Sequence, residues 1–244
     1  MTQVKVMGIV NVTPDSFSDG GRFFRPEEAV RRARNLIEDG ADVIDLGGES
    51  TRPGAEPVGW EQEWSRVGPV LSELARSVRV PLSVDTYHPE TAARALAAGA
   101  TMLNCVRSAS VPEMLAIARG RPEVELVVPF RLGEPSAEAR LGDFPRERLY
   151  LDPMIGFDTT REEDLALLRS VGGMARLGRV AVGASRKRIV KKLTGGKPTG
   201  KNVGGNVALA LWCARVGASL VRVHDVLETV QALKVLAALD GLEA

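Results

Sequence analysis

Acidic and amide side chains end three short, mainly apolar segments of this sequence. They are Asp85, Asn104 and Asp152, and each is preceded by residues that could form a buried strand. A buried carboxylate or amide costs free energy unless it is hydrogen-bonded. The three side chains could therefore accept hydrogen bonds from a planar ligand rich in N–H groups, or they could satisfy one another in a polar network.

Basic side chains follow two later apolar segments. Lys187, at the end of the run SRK, could donate to a ring carbonyl or supply charge for a phosphate. Arg222 and His224 are two residues apart, so the alternation of a strand places both on one side. Together they could hold a diphosphate through charge-assisted hydrogen bonds. The sequence thus combines acceptors for a ring with cations for an anion.

Two glycine-containing loops add candidates for binding a metal and an anion. Residues 11–21 read NVTPDSFSDGG, in which Asn11 offers the neutral oxygen that suits Mg2+ beside a phosphate. Residues 47–54 read GGESTRPG, in which Thr51 and Arg52 could help to cradle an anion. Each segment could instead have a purely structural role, residues 11–21 as a turn-rich loop and residues 47–54 as a tight strand-to-helix turn. A loop as long as the first, without regular structure, is usually functional or disordered.

Alternating strand and helix patterns position these residues. Strands are predicted at residues 4–10, 42–46, 82–85, 102–104, 125–128, 149–152, 180–182 and 220–223, and helices at 26–37, 61–78, 89–98, 111–119, 161–171, 203–216 and 226–239. Residues 191–200, rich in Lys, Gly and Thr, are predicted to be a surface loop. Eight strands separated by helices predict a parallel sheet that closes into a (β/α)8 TIM barrel, with residues 1–244 as one domain.

The barrel hypothesis explains where the chemistry lies. In this fold, the loops after the strands meet at one mouth, where active sites are built. Polar side chains follow seven of the eight predicted strands, and their clustering at one mouth is hard to explain by helix capping alone. Ser185, after the seventh strand, would face the same mouth.

Composition narrows the class of protein. The 244 residues suffice for one such barrel, which needs roughly 250. The net charge of +1 favours neither nucleic acid nor an anionic membrane as a partner. No apolar run reaches the ~18 residues that span a bilayer, and the first residues lack a signal-peptide layout. Two cysteines make neither a disulfide scaffold nor a four-ligand zinc site, so we expect a cytoplasmic protein.

The ordered set of motifs resembles the dihydropteroate synthase family over nearly the whole chain. Residues 11–21 and 45–54 are similar to its two long signatures, and the shorter motifs are SVDTY at 83–87, DP with IGF at 152–157, SRK at 185–187 and RVHD at 222–225. The resemblance implies that para-aminobenzoate attacks 6-hydroxymethyl-7,8-dihydropterin diphosphate, giving 7,8-dihydropteroate and pyrophosphate in folate biosynthesis. It also implies a pterin-binding barrel, a Mg2+ cofactor and a homodimer formed through the last two helices.

The resemblance also implies roles for individual residues. Asp85, Asp152 and Lys187 are expected to be catalytic and, with Asn104, to bind the pterin. Asn11 is expected to hold the metal. Arg222 and His224 are expected to bind the diphosphate, with Thr51 and Arg52 closing over it. The para-aminobenzoate pocket is expected to be shaped by Phe17, Pro53, Phe157 and Ser185.

Some positions depart from the family's usual pattern. Cys105 stands where Asp is usual, residues 127–131 read VVPFR where a Met-His pair is usual, Met154 replaces Gly, and Asp158-Thr159 replaces Gly-Lys. Two alternatives therefore remain open. The chain could be a homologue that binds pterin without catalysis. A pterin-dependent methyltransferase fits less well, because a methyl-folate donor has no diphosphate for the loops at 11–21 and 50–54.

Overall fold

Eight parallel strands close into a barrel in the computed structural model, which describes residues 4–13, 25–50, 56–196 and 200–241. The strands are β1 (Lys5–Asn11), β2 (Val43–Gly47), β3 (Leu82–Asp85), β4 (Met102–Asn104), β5 (Glu125–Pro129), β6 (Leu149–Asp152), β7 (Arg179–Val182) and β8 (Leu220–Val223). Each strand pairs with its neighbour in chain order, and β8 pairs with β1 to close the sheet. The predicted TIM-barrel fold is confirmed.

Helices follow the strands and cover the outside of the barrel. They are α1 (Pro26–Glu38), α2 (Trp60–Ser77), α3 (Pro89–Ala97), α4 (Val111–Arg119), α5 (Pro135–Leu141), α6 (Arg161–Met174), α7 (Arg188–Leu193), α8 (Val203–Arg215) and α9 (Val226–Leu239). In the part of the chain that the structure describes, none of them is both long enough and apolar enough to cross a bilayer.

Two short helices were missing from the sequence-based prediction. Helix α5 has seven residues, and α7 has six. Neither is long enough to show a clear 3.6-residue apolar period, which is the signal on which such predictions depend. The loop predicted at 191–200 was wrong for its first three residues, which are the end of α7; residues 197–199 lie outside the described ranges.

The inside of the barrel is filled at its amino-terminal end by one apolar group, which we call the barrel plug. Its members are Met7, Val43, Met102, Val127, Tyr150, Ala181 and Leu220. The other face of the strands packs against the helices in a separate and larger core. Side chains alternate along a strand, so residues two positions beyond the plug also point inward, one layer closer to the mouth.

Candidate active site

A layer of polar side chains lies above the barrel plug. This polar layer consists of Asp45, Asp85, Asn104, Asp152 and Arg222. Four of these residues follow a plug residue by two positions on β2, β4, β6 and β8, and Asp85 follows the fully buried Ser83 in the same way. The period of two therefore brings residues from five strands to one level of the barrel.

Arg222 is the centre of the polar layer. Its Nε donates to Asp45 Oδ2 at 2.6 Å, and its Nη2 donates to Asp85 Oδ2 at 2.7 Å. Burial lowers the pKa of the guanidinium, but the charges of Asp45 and Asp85 outweigh this effect and raise it above its ordinary value. These two bonds leave both hydrogens of Nη1 and one of Nη2 for the predicted contact with a diphosphate.

Asp85 has a strongly shifted ionisation. Burial is the largest cause and raises the pKa of Asp85 to about 7; Arg222 opposes the shift, whereas Asp45 and Glu63 reinforce it. Near neutral pH the carboxyl group can therefore exist with or without its proton. A carboxylate of this kind could stabilise positive charge that develops on a bound ring.

Asp45 is a member of the polar layer that motif matching did not single out. Its side chain is fully buried, and its Oδ2 accepts from Asn104 Nδ2 at 3.1 Å as well as from Arg222. The local sequence VIDLG is a strand whose five residues are all buried. An acidic residue inside such a strand must have partners, and this burial rule could have identified it.

Asp152 and Lys187 form the next part of the site. Asp152 Oδ1 accepts from the Met154 backbone N–H at 2.7 Å, and burial raises the pKa of its carboxyl group. Lys187 Nζ donates to the Ile155 carbonyl at 2.5 Å and lies 4.0 Å from the centre of the Phe157 ring. Burial lowers the pKa of Lys187 to about 8, against the charges of Asp152 and Asp85. An ammonium group has three N–H donors, so Lys187 can donate to a ligand as well as to Ile155.

The loop after β7 holds Lys187 through a neighbouring residue. Arg186 has a φ of 59°, an unusual conformation for a residue other than glycine. Its backbone N–H donates to Asn206 Oδ1 at 3.0 Å, and its guanidinium pairs with Asp225. Asn206 Nδ2 also donates to Asp225 Oδ2 at 2.9 Å. Sequence reasoning missed Asn206, since an amide inside an apolar helix has no distinctive motif.

Ser185 and His224 contact each other at the same mouth. Ser185 Oγ lies 3.2 Å from His224 Nδ1 and accepts from the His224 backbone N–H at 3.2 Å. They had been predicted to serve different parts of the substrates. These contacts connect the residues after β7 and β8, between the predicted para-aminobenzoate pocket and the predicted diphosphate site.

Asn11 and Asp85 lie on either side of Gly47, which pairs with both residues in the barrel sheet. A Cβ placed on Gly47 would be 3.9 Å from both Asn11 Oδ1 and Asp85 Oδ2. Within the described ranges, no three His, Cys, Asp or Glu side chains form a metal-binding group. One amide oxygen fits a Mg2+ ion held mainly by phosphate and water, because this ion often keeps few protein ligands.

Four predicted residues, Phe17, Thr51, Arg52 and Pro53, lie outside the described residues. The residues that flank the second loop are described. On one side, Glu49 accepts from the Tyr87 hydroxyl at 2.7 Å and lies 3.4 Å from His88 Nε2. On the other side, the Val58 carbonyl lies 3.1 Å from the same histidine nitrogen. His88, to which the sequence assigned no role, therefore joins the two flanks.

Comparison with known proteins identifies the family. The profile of a family described as pterin binding enzyme matches residues 7–137 and 123–224. A dihydropteroate synthase from Synechocystis is 37% identical over 259 residues, which cover 96% of this chain and 89% of that protein. The chain belongs to the dihydropteroate synthase family. The family resemblance seen in the motifs is thereby confirmed.

Solved structures of the family agree with this assignment. The Xanthomonas albilineans dihydropteroate synthase with 4-aminobenzoic acid has a TM-score of 0.88 and 40% identity, covering 98% of this chain and 93% of that one. The same enzyme in complex with 7,8-dihydropteroate has a TM-score of 0.83 and 36% identity, covering 98% and 94%. Both values describe the same fold over nearly the whole of each chain.

Three of the positions that depart from the family pattern, Cys105, Met154 and Thr159, are buried. Cys105 is buried, its thiol donates to the Arg107 carbonyl at 3.3 Å, and burial raises its pKa to about 11. Thr159 is buried and donates to Asp164 Oδ1 at 2.5 Å. Met154, which replaces a glycine, has a φ of 62° and is also buried. Its side chain occupies space that a glycine would leave open.

A cavity of about 360 Å3 lies on this side of the mouth. Pro129, Met154 and Phe157 line it together with the polar side chains of Arg131, Glu134 and Arg140. Phe157 also contacts Lys187, so the cavity adjoins the pterin side of the predicted site. The departures thus change the outer wall and leave the polar layer complete.

Proposed function

We propose that this protein is a dihydropteroate synthase, which condenses 6-hydroxymethyl-7,8-dihydropterin diphosphate with para-aminobenzoate. The products are 7,8-dihydropteroate and pyrophosphate. The observation that carries the proposal is the complete polar layer, with Lys187 beside it, in a barrel of this family. Relatives named as dihydropteroate synthases, one of them solved with its product, support the same reaction.

The polar layer and Lys187 bind the pterin ring in this proposal. Asp85, Asn104 and Asp152 supply acceptors for the amino and ring N–H groups, and Lys187 donates to the ring carbonyl. The Phe157 ring, whose centre is 4.0 Å from Lys187 Nζ, covers the lysine and limits its contact with water. Burial strengthens each of these hydrogen bonds because the local dielectric constant is low.

The reaction breaks the bond between the methylene carbon and the diphosphate oxygen, and the electron pair leaves with pyrophosphate. The amine of para-aminobenzoate forms the new C–N bond and then loses a proton. Positive charge that develops on the dihydropterin is stabilised by Asp85 and Asp152, which are fixed in place before the reaction. Arg222 Nη1 and His224 hold the diphosphate, with Thr51 and Arg52 from the second loop.

Mg2+ is the proposed cofactor, and Asn11 is its proposed protein ligand. When bound, Mg2+ would supply positive charge to the departing pyrophosphate. The position of Asn11 across Gly47 from Asp85 supports this assignment, since it brings a neutral oxygen to the edge of the polar layer. A single protein ligand makes metal binding dependent on the diphosphate, so we expect little Mg2+ to bind without it.

Para-aminobenzoate is proposed to enter at the mouth of the barrel, beside the loop after β7. Among the residues that the structure describes, Ser185 and Phe157 are proposed to line its pocket. Their positions support this, because Ser185 contacts His224 and Phe157 contacts Lys187. The attacking amine would then approach from the diphosphate side of the pterin site.

A pterin-binding homologue without catalysis is the second candidate. The observation in its favour is the altered outer wall, where Pro129 and Met154 line the cavity. A pterin-dependent methyltransferase has less support, since the relatives described above are named as synthases. Both alternatives predict pterin binding without formation of dihydropteroate.

A homodimer through α8 and α9 is also proposed. Exposed apolar side chains on these helices support it: Trp212, Leu227, Val235 and Leu239, the last of which is 79% exposed. The two helices pack against each other, so they present a joint apolar surface. A symmetric dimer would bury this surface against its own copy.

We also propose a cytoplasmic protein that has neither nucleic acid nor membrane as a partner. The two cysteines support a reducing compartment, since both are free thiols buried in the barrel or its helices. The net charge of +1 supports the absence of a polyanionic partner.

Product analysis tests the proposed reaction. The purified protein is incubated with the pterin diphosphate, para-aminobenzoate and Mg2+, and the products are identified by mass spectrometry. We expect dihydropteroate from the wild type and at least roughly a hundredfold less from Asp85→Asn, since pocket electrostatics of this kind contribute on this scale. The control is Asp143→Asn, on the exposed surface. Pterin binding without product would favour the second candidate.

A further inference from the structure

We propose that Asp45 is a positioning residue that sets the orientation of the Asn104 amide and thereby gives the site its preference for a dihydropterin over an oxidised pterin. This inference rests on the proposed function and assigns a role to a residue that the family motifs leave without one. It starts from one oxygen atom, Asp45 Oδ2, which accepts from both Asn104 Nδ2 and Arg222 Nε.

The carboxylate determines which way the amide points. An asparagine side chain can be turned by 180° about its last bond, which exchanges the donor and the acceptor. Asp45 is fully buried, and a carboxylate accepts hydrogen bonds but does not donate them. The turned amide would set its oxygen against the carboxylate oxygen inside a buried layer, which is strongly unfavourable. Nδ2 of Asn104 therefore faces Asp45.

The same contact holds Asp45 itself in place. Arg222 Nε donates to it at 2.6 Å, and Arg222 is in turn held by Asp85 at 2.7 Å. Asn104, which is buried at the end of β4, completes this hydrogen-bonded group. No one of these side chains can rotate without breaking a charge-assisted or buried hydrogen bond.

A fixed amide can distinguish the two oxidation states of the ligand. Asn104 Oδ1 and the second hydrogen of Nδ2 remain for a ligand, as an acceptor and a donor side by side. The 7,8-dihydropterin ring presents a matching edge, with a hydrogen on N8 and an acceptor at N1. In the oxidised ring N8 has lost its hydrogen and becomes an acceptor, so it would face Oδ1 unfavourably.

The test compares the affinities of the protein for 6-hydroxymethyl-7,8-dihydropterin and for its oxidised form by calorimetry. The wild type is expected to prefer the dihydropterin by roughly tenfold or more, the cost of one unmatched buried polar pair. Asp45→Ala removes the acceptor, and the preference is expected to fall below about threefold, because the amide can then turn. Asp45→Asn restores an oxygen acceptor without the charge, and it is expected to recover part of the preference.

Asp42→Asn is the matched control, because Asp42 lies just before the same strand and its carboxylate accepts from the Val6 backbone N–H rather than from the polar layer. It is expected to retain the wild-type preference. A wild-type preference that persists in Asp45→Ala would overturn the positioning role and leave the proposed function intact. A wild type that binds both ligands equally would also overturn the positioning role and leave the proposed function intact. A wild type that binds neither ligand would overturn both.

A measurement on the wild-type protein covers the case in which Asp45→Ala does not fold. The two side-chain amide hydrogens of Asn104 are followed by 15N NMR in hydrogen exchange. The hydrogen directed at Asp45 is expected to exchange roughly tenfold or more slowly than the other, because only this one is held in a buried hydrogen bond. Equal, fast exchange of the two hydrogens would mean that neither is held in a hydrogen bond to Asp45, and the proposal would be wrong.

Discussion

Arg222 Nη2 donates to Asp85 Oδ2 at 2.7 Å and so joins the eighth strand to the third across the interior of the barrel. Asp45 accepts from Nε of the same guanidinium, so Arg222 lies between two carboxylates. Two carboxylates share one cation, and burial then leaves Asp85 with a pKa of about 7. This shared cation explains how a largely apolar barrel floor can carry a charged layer directly above it.

The pH dependence of stability should reveal the shifted pKa of Asp85. Its folded pKa of about 7 exceeds its ordinary value of 3.8, so between these values the folded state binds more protons than the unfolded state. The contribution of Asp85 to stability is therefore present at low pH and is lost as the pH rises towards 7. We expect urea unfolding at pH 5 and pH 7 to show this loss in the wild type and a smaller one in Asp85→Asn. If the free energy of unfolding changed equally between pH 5 and pH 7 in the two proteins, the raised pKa of Asp85 would be contradicted.

Loss of the positive charge of Lys187 should weaken pterin binding at alkaline pH. Its pKa is lowered to about 8, so the free protein loses this charge as the pH rises through that value. We expect kcat/KM for the pterin diphosphate to fall above pH 8 in the wild type. In Lys187→Arg the fall should disappear, because a guanidinium remains charged, although activity at pH 7 should be lower. Lys192→Arg, on the exposed end of α7, is the matched control. An unchanged alkaline limb in Lys187→Arg would exclude Lys187 as its source.

Asn206 should be needed for the geometry of the loop after β7. Asn206→Ala leaves the Arg186 backbone N–H and one oxygen of Asp225 without their partner. We expect the free energy of unfolding in urea to fall by about 1–3 kcal/mol, the usual cost of unpaired buried groups. The KM for the pterin should rise, because Lys187 follows Arg186 directly. Asn35→Ala, at an exposed position of α1, should change neither value. A destabilised Asn206→Ala with an unchanged KM would show that the loop keeps Lys187 in place without it.

The apolar surface of α8 and α9 should form the dimer contact. Val235 is 61% exposed, and Val235→Lys would place a charge in the proposed interface. We expect the wild type to sediment as a dimer at micromolar concentration and Val235→Lys to sediment mainly as a monomer. Leu177→Lys changes a residue that is 50% exposed in the turn between α6 and β7, and it should remain dimeric. A monomeric wild type would remove the basis of this proposal.

The order of the strands could be predicted from the alternation of strand and helix patterns along the sequence. The position of the polar layer could be predicted from the residues that end the strands. Asp85, Asn104 and Asp152 were recognised since each ends an apolar strand. Asp45 was overlooked because it lies within its strand, where a period of two and an unbroken apolar run give similar patterns. The partners of Arg222 could not be predicted, since they come from β2 and β3, 177 and 137 residues away in the chain.

Other features depended on tertiary contacts that leave no local pattern. Asn206 reaches the loop after β7 only because α8 packs beside it. The joining of Glu49 and Val58 by His88 depends on the return of the chain after the second loop. The roles assigned to the individual site residues remain predictions, as does that of Mg2+.

The most direct test of the central claim is pyrophosphate release by the wild-type protein from the pterin diphosphate, in the presence of Mg2+, with and without para-aminobenzoate. The proposed synthase releases pyrophosphate in proportion to the dihydropteroate formed, and only when para-aminobenzoate is present. Tight binding of the pterin diphosphate with no release under either condition would contradict the claim and would identify the protein as a pterin binder without catalysis.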